Sequence, residues 1–515
     1  MSIHDRNIGV RGSESRPSIL ARRRELSFHA EPALTAAQAR VDQFVGQTAE
    51  TLSNPRTAAL GLVGVGLISR FANAASLSRI LSAFRVGSAT EAALASELGF
   101  LGLRAAPAFR LAPLGATVFG ATIVLAGCGV EDPNSPPPPE ATAITPSGSE
   151  FQINTDRNTG TNQGVAMALN GNGNLVVAWA DNNPSETTQH GVFARAFNSA
   201  GTGTAVVAAD TPFPRVDVLP SVSTNSRGNF VVSWTNQSDP SSPIRVQARR
   251  FGDDGRLIGG IIPVLSTPAG ASLQPRSSIV LLEDGGFVVA ANDNSDTCGA
   301  CAYFYNADNT QASVSPLVPS GNTVSTLHVG TTTQGTWTWG ALVSSGGSNE
   351  IQFQRFNGRT AQGSVVRHPI GGSLPPGAQI RVASLPNGNT MLAWQTNTAI
   401  MAQVVDSHGA ELFDAVQVAA VEPGASFSLA ADEQGSFVVA WEETSGSNSV
   451  IRARVINGEG EPILTPLDVS GPSGQNREVV VTANGSGRVS IAWRRFSTEG
   501  GAHQDLIARN YQIAY

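Results

Sequence analysis

Lysine is absent: all 33 basic residues among the 515 are arginine. Without a side-chain amine the chain excludes Schiff-base catalysis, a Walker-type phosphate loop and a kinase-type ATP lysine. Charge is sparse as well, with Asp, Glu and Arg making up 14% of positions, and aromatics only 6%. What abounds instead is Gly (54) and Pro (30), the composition of a turn-rich β protein rather than a helical or disordered one.

The net charge of −7 joins two unlike halves. Residues 1–127 carry 13 Arg against 8 Asp and Glu, hence +5; the remainder carries 20 Arg against 32 acids, hence −12. A domain at −12 lacks the cationic surplus that nucleic-acid binding requires.

Residues 1–110 read as a disordered Arg/Ser-rich start followed by a mostly helical basic prelude. Capping boxes at Thr35/Gln38 and Ser88/Glu91 open two of its helices. Arg104 and Arg110 then precede an uncharged run, Leu111 to Val130, which ends in Leu125-Ala126-Gly127-Cys128. A proline-rich linker, residues 131–149, follows. The arrangement resembles the lipobox of bacterial lipoproteins. The resemblance implies cleavage before Cys128 and diacylglyceration of its thiol. Gly129, where an inner-membrane retention signal has Asp, implies sorting to the outer membrane. Family signals sit within about 30 residues of the start, whereas this Cys stands 128 in. An uncleaved anchor therefore stays open, since 20 residues at about 1.5 Å each match a hydrocarbon core of about 30 Å. A buried core helix is the third alternative. The first two place the rest of the chain in the cell envelope, outside the cytoplasm, attached through the Cys128 lipid or the 111–130 helix.

After the linker the chain repeats. A Gly followed by a short apolar strand recurs seven times, ending at Trp179, Trp234, Ala291, Ala341, Trp394, Trp441 and Trp493, at intervals of 47–57 residues. That is the period of four-stranded propeller blades, and the expectation is a seven-bladed all-β propeller over residues 150–515. Each unit offers four strands, a to d. Tight Gly/Asn turns such as Asn170-Gly-Asn-Gly173 join b to c, and Gly252-Asp-Asp-Gly255 joins d to the next a. Longer a-to-b segments mark the steps between blades, giving b, c, d, a from the channel outward. The final unit then lacks its own a strand, and Phe151–Asn154 is expected to supply it. The repeats also resemble those of large secreted or surface bacterial proteins, in Phe151-Gln-Ile-Asn-Thr155, the strand ending at Trp179, and Val192-Phe-Ala-Arg-Ala-Phe197. That resemblance implies no activity and carries over no site residues.

Few residues suggest chemistry. Cys298-Gly-Ala-Cys301, in the c–d loop of the third unit, reads as a local disulfide in an oxidising compartment, since no helix follows it and no further zinc ligands lie nearby. Asn292, Asn294 and Asp296 alternate as weak calcium candidates, but the loop lacks the sixth-position Gly and the terminal acid of a calcium loop, so turn chemistry is the expectation there. Arg276, Arg381 and Arg477 stand in or just before b strands, where a ring at the channel mouth would meet an acidic ligand. Glu442-Glu443 is no catalytic pair, because neighbours on a strand face opposite ways. With no catalytic constellation, no cofactor and no metal implied, the expectation is a monomeric, non-enzymatic binding or scaffolding module for a protein or glycan. A polysaccharide-active enzyme is the alternative.

Overall fold

In a computed structural model the described residues lie between 140 and 515, with breaks at 155–160, 183–190, 211–215, 238–241, 268–275, 293–296, 497–503 and a few shorter places. The prelude, the 111–130 segment with Cys128, and the first part of the linker lie outside them. Among the described residues there are 29 strands and no helix.

Two short strands open the fold, β1 (Ala143–Pro146) and β2 (Phe151–Gln152). The first sheet holds β3 (Thr161–Leu169), β4 (Leu175–Asn182), β5 (Gly191–Phe197) and β6 (Val207–Ala208). The second holds β7 (Val216–Thr224), β8 (Phe230–Gln237), β9 (Ile244–Phe251) and β10 (Leu257–Thr267). In the third are β11 (Ser277–Leu281), β12 (Phe287–Asn292), β13 (Cys298–Tyr305) and β14 (Gln311–Pro319). The fourth comprises β15 (Thr323–Thr331), β16 (Thr336–Ser345), β17 (Ser348–Asn357) and β18 (Thr360–Pro369). The fifth is β19 (Ile380–Ser384), β20 (Thr390–Gln395), β21 (Ala399–Val405) and β22 (Val416–Ala420). Next come β23 (Phe427–Ala431), β24 (Ser436–Ser445), β25 (Asn448–Asn457) and β26 (Leu467–Asp468). The chain closes with β27 (Gln475–Ala483), β28 (Arg488–Phe496) and β29 (Gln504–Ala514).

These strands form a β-propeller, and the expectation of seven separate blades is corrected. Five sheets stand as separate four-stranded blades, while the nine remaining strands form one continuous sheet. The join is a parallel bridge, Ser449↔Gln475. Asn476 locks it, its backbone N–H donating to Ser449 Oγ at 2.9 Å and its Nδ2 to Ser449 O at 3.1 Å. A repeat count reads units along the chain and is blind to such lateral fusion, so the sixth and seventh sequence units share one sheet. The expected helical prelude lies outside the described residues.

Burial follows strand order. The second strands, such as β8, β12 and β20, are buried almost throughout, because each is covered by a neighbouring sheet on both faces. Outer strands such as β14 and β18 are largely exposed. The first strands lie side by side around the channel: β3 by β7, then β11, β15, β19, β23 and β27, which returns to pack on β3. The fourth unit departs from the repeat pattern for a steric reason. A Cβ on Gly330 would stand 2.4 Å from Val382 O, and one on Gly340 2.3 Å from Val382 Cγ1, so the neighbouring strand packs where side chains would be.

The N-terminal segment closes the ring as the turn argument expects: Phe151↔Ala508 and Gln152↔Ile507 pair antiparallel. Ile153 is fully buried in a cluster with Trp179 of the first sheet and Leu506 of β29. Burying that side chain contributes about 1.5–3 kcal/mol. Closure also reaches into the expected linker, for β1 pairs with the end of β29 from Ala143↔Ala514 to Pro146↔Tyr511.

Buried Asx residues tie the b–c turns together. Asn170 Oδ1 accepts the N–H groups of Asn172 (3.1 Å) and Asn174 (2.9 Å), while its Nδ2 donates to Asn225 O of the next unit at 3.1 Å. Asn484 repeats this, donating to Asn170 O at 3.0 Å across the closure. Asp432 occupies the same place: its Oδ1 accepts from Gln434 and Ser436, but its Oδ2 is buried without a partner. Burial pushes this carboxyl up to about 6, against its backbone hydrogen bonds and with Glu433 adding repulsion.

Two outcomes follow from this architecture. Deleting residues 141–154 removes both closing strands and is expected to lower the melting temperature by about 10 °C or more. Re-attaching the segment after Tyr515 through a short Asn-Gly turn, which the Ala143↔Ala514 register permits, restores it. The second concerns Asp432, whose folded pKa stands above the unfolded value, so its stabilisation is lost as pH rises from about 4 through about 6. Asp432→Asn supplies the missing donor and is expected to stabilise the protein at pH 7.5 by on the order of 2 kcal/mol, with the gain vanishing near pH 4. Thermal melts across that range check it.

Candidate functional site

The two ends of the channel differ in chemistry. At the b–c turn end the opening is a cavity of ≈ 30 Å³, room for about one water, walled by groups such as Ser223, Thr224, Asn225 and Thr332. At the opposite end, where the a–b and c–d loops emerge, the inner strands carry the charged residues.

Ladder register sets their depth. Arg477 lies opposite Arg494, and Arg276 sits at the matching level beside Asn292, whose Oδ1 accepts the Arg276 N–H and whose N–H reaches Arg276 O at 3.3 Å. Arg381 pairs with Ala393 and His328 with Gly340, two residues, about 7 Å, further into the channel. The three arginines therefore do not form a single planar ring, although the structure brings Arg276 and Arg381 close enough to repel one another.

The mouth divides into two sectors. On the side of β24, β27 and β28 the charges are matched. Arg477 faces Glu442 at 3.8 Å, and Arg494 binds Glu478 at 2.5 Å. Glu442 also accepts from Ser426 Oγ at 3.2 Å, and Glu478 from the Gly164 N–H at 3.3 Å. Burial raises both carboxyls, with Glu442 adding to the rise in Glu478, while Ser426 and Arg477 oppose it for Glu442 and Arg494 and the Gly164 N–H for Glu478. Glu478 holds a left-handed backbone (φ 54°), as does Leu219 two strands away (φ 59°), with Gly164 (φ 70°) on the strand between. Each sits at a bulge in its ladder. Bulges at three adjacent inner strands re-aim side chains at the rim, as they do beside binding sites.

On the side of β11, β15 and β19 the charges are unmatched. Among the described residues neither Arg276 nor Arg381 forms an ion pair. Arg381 donates to Ile380 O (2.8 Å) and Gln379 Oε1 (2.7 Å) and lies 5.2 Å from the Phe427 ring centre. Burial, then Arg276, lowers it to about 10; burial lowers Arg276 too. Arg276 is exposed and Arg381 half-buried, so solvent reaches both at the mouth. His328, between them in chain order, accepts the Val382 N–H on Nδ1 at 3.3 Å, which leaves its proton on Nε2. Burial, with Arg381 adding, holds it neutral down to about 3.

Other expected residues play structural parts. Cys298 and Cys301 form a disulfide, and both lie within β13 rather than in a loop before it, opposite Pro319 and Pro316. Asn292 is spent on Arg276; Asn294 and Asp296 lie outside the described residues, as does Cys128. Among the described residues no cluster of three or more potential metal ligands occurs. Sequence reasoning missed His328 and Arg494, and saw Glu478 only as a local acid that an arginine at a strand end would meet. A lone His on a strand carries no signal, and Glu478 meets Arg494 only through a bulge.

No known protein family matches the sequence, and no curated protein does. Solved structures do align. One is a protein of unknown function from Dyadobacter fermentans (11% identical, covering 72% of this chain and 99% of that one, TM-score 0.41). Another is the BP39L lectin of Burkholderia pseudomallei (14%, 68% and 97%, 0.47). A third is the α-L-arabinanase of Penicillium chrysogenum complexed with arabinobiose (12%, 61% and 99%, 0.41). At these identities the likeness is one of fold and brings no residue role or activity across.

Proposed function

We propose that the propeller is a non-enzymatic binding module, held in the cell envelope outside the cytoplasm, that receives its ligand at the loop end of the channel. One observation carries this reading. The acids at the mouth, Glu442 and Glu478, are each engaged by an arginine and a further donor, whereas Arg276 and Arg381 have no counter-charge among the described residues. Engaged carboxylates hold a frame; unmatched guanidiniums await an anion. The acid pair with raised pKa values gives the second reading its footing, a polysaccharide-active enzyme using Glu442 and Glu478 as acid and base.

A panel of neutral and acidic oligosaccharides and peptides, scored for both binding and turnover, separates the two. Binding without turnover is expected. Turnover abolished by Glu478→Gln sinks the binding-module reading. For attachment, the lipobox resemblance supports a mature chain beginning at acylated Cys128. Cys128→Ser is expected to block acylation and processing, which mass spectrometry of the envelope protein reads directly. A wild-type chain that retains residues 1–127 with an unmodified thiol removes the lipoprotein and leaves the anchor.

A further inference from the structure

We infer that Arg276, His328 and Arg381 build a binding site for a single carboxylate, presented by a sugar acid entering from the loop end. The inference rests on the binding-module reading and names the ligand class of that site. The three residues come from three consecutive inner strands or their approaches, those of β11, β15 and β19, which pack side by side. All three present donors: two guanidiniums and, because Nδ1 is committed to Val382, the imidazole Nε2–H. Among the described residues no acid pairs with either arginine. Arg381 is already oriented by Ile380 O, Gln379 and the Phe427 ring, so its guanidinium is held before a ligand arrives.

The charge of the domain narrows the class. From Cys128 onward the chain stands at −12, so an extended polyanion lying across the surface meets net repulsion. One anionic group reaching inward does not. At the far end of the channel the cavity is small, so the roomier approach for a ring is the loop end. The inner strands carry polar side chains along the channel, Ser221, Ser223, Thr326 and Ser428 each bonding the backbone of the next unit. Such walls suit a hydroxylated ring better than an apolar peptide side chain.

The test uses the full-length protein, with sodium glucuronate as probe and glucose as its neutral counterpart, at matched ionic strength. Glucuronate is expected to raise the melting temperature in a saturable way, and glucose not to. Arg276→Gln and Arg381→Gln each weaken the glucuronate response about tenfold or more, consistent with loss of a charge-assisted contact. Arg477→Gln, whose arginine is matched by Glu442, changes it less than about threefold. Without ligand, Arg276→Gln melts no lower than the wild type, because it relieves repulsion on Arg381. Equal effects of glucuronate and glucose, or an undiminished response in the Arg276→Gln/Arg381→Gln double variant, overturn the site while leaving a binding module elsewhere on the loop face. A response to sodium acetate or an acidic peptide equal to that to glucuronate overturns the sugar-acid assignment. Turnover of a glucuronate-bearing oligosaccharide overturns the non-enzymatic reading instead, and leaves the carboxylate site standing.

Discussion

Along nearly all its length, each innermost strand of this propeller has one edge without a ladder partner, because the next inner strand belongs to another unit. The single bridge from β25 to β27 is the exception. Unpaired backbone groups in a crowded interior are costly, and the fold answers with side chains from the neighbouring unit. Ser221 and Ser223 accept the N–H groups of Ile279 and Leu281. Ser426 and Ser428 do the same for Val479 and Val481, and His328 for Val382. Thr326 donates the other way, to Ala378 O at 2.8 Å. These bonds hold the units in register, and they also decide what the channel wall is made of. A wall built from hydroxyls is polar before any ligand is considered.

The same requirement explains why His328 is neutral. An imidazolium has no lone pair to offer Val382, so protonation would cost the inter-unit bond as well as place a second cation beside Arg381. Its proton therefore resides on Nε2, and a residue recruited to mend a strand edge becomes a donor. Across the mouth the opposite arrangement holds. Glu478, turned by its bulge, reaches both Arg494 and the Gly164 N–H, and so links the last unit to the first by charge as well as by strand pairing. Asymmetry between these sectors, on a scaffold of similar repeats, leaves one side of the mouth with cations that have no counter-charge among the described residues.

How much of this was legible in the sequence varied with the range of the interaction responsible. Local signals were clear. The Gly/Asn turns placed the hairpins, the recurring Gly and short apolar strand marked each unit, and the surplus Phe151–Asn154 found its partner by elimination. Lateral effects were hidden. Nothing in the spacing shows that Ser449 and Gln475 would bridge two units into one nine-stranded sheet, so the count of separate blades came out too high. The strand at Ala143–Pro146 is masked by its own composition, since a proline ending a linker reads as a spacer although it forms an edge, where proline is tolerated. The arginines were visible as a set, but their depths depend on register. Only the ladder shows Arg381 some two residues deeper than Arg276, with an unsuspected histidine at its level.

Closure by the N-terminal segment has a temporal side. Gln152 hydrogen-bonds Asp505 across 353 residues, and Thr142 reaches Ala514 across 372. A chain emerging at about 5–20 residues per second leaves its first strands waiting roughly 20–70 s for their partner. Throughout that interval the ring is open and its earliest edge unpaired, so whatever receives the nascent chain must tolerate an exposed strand.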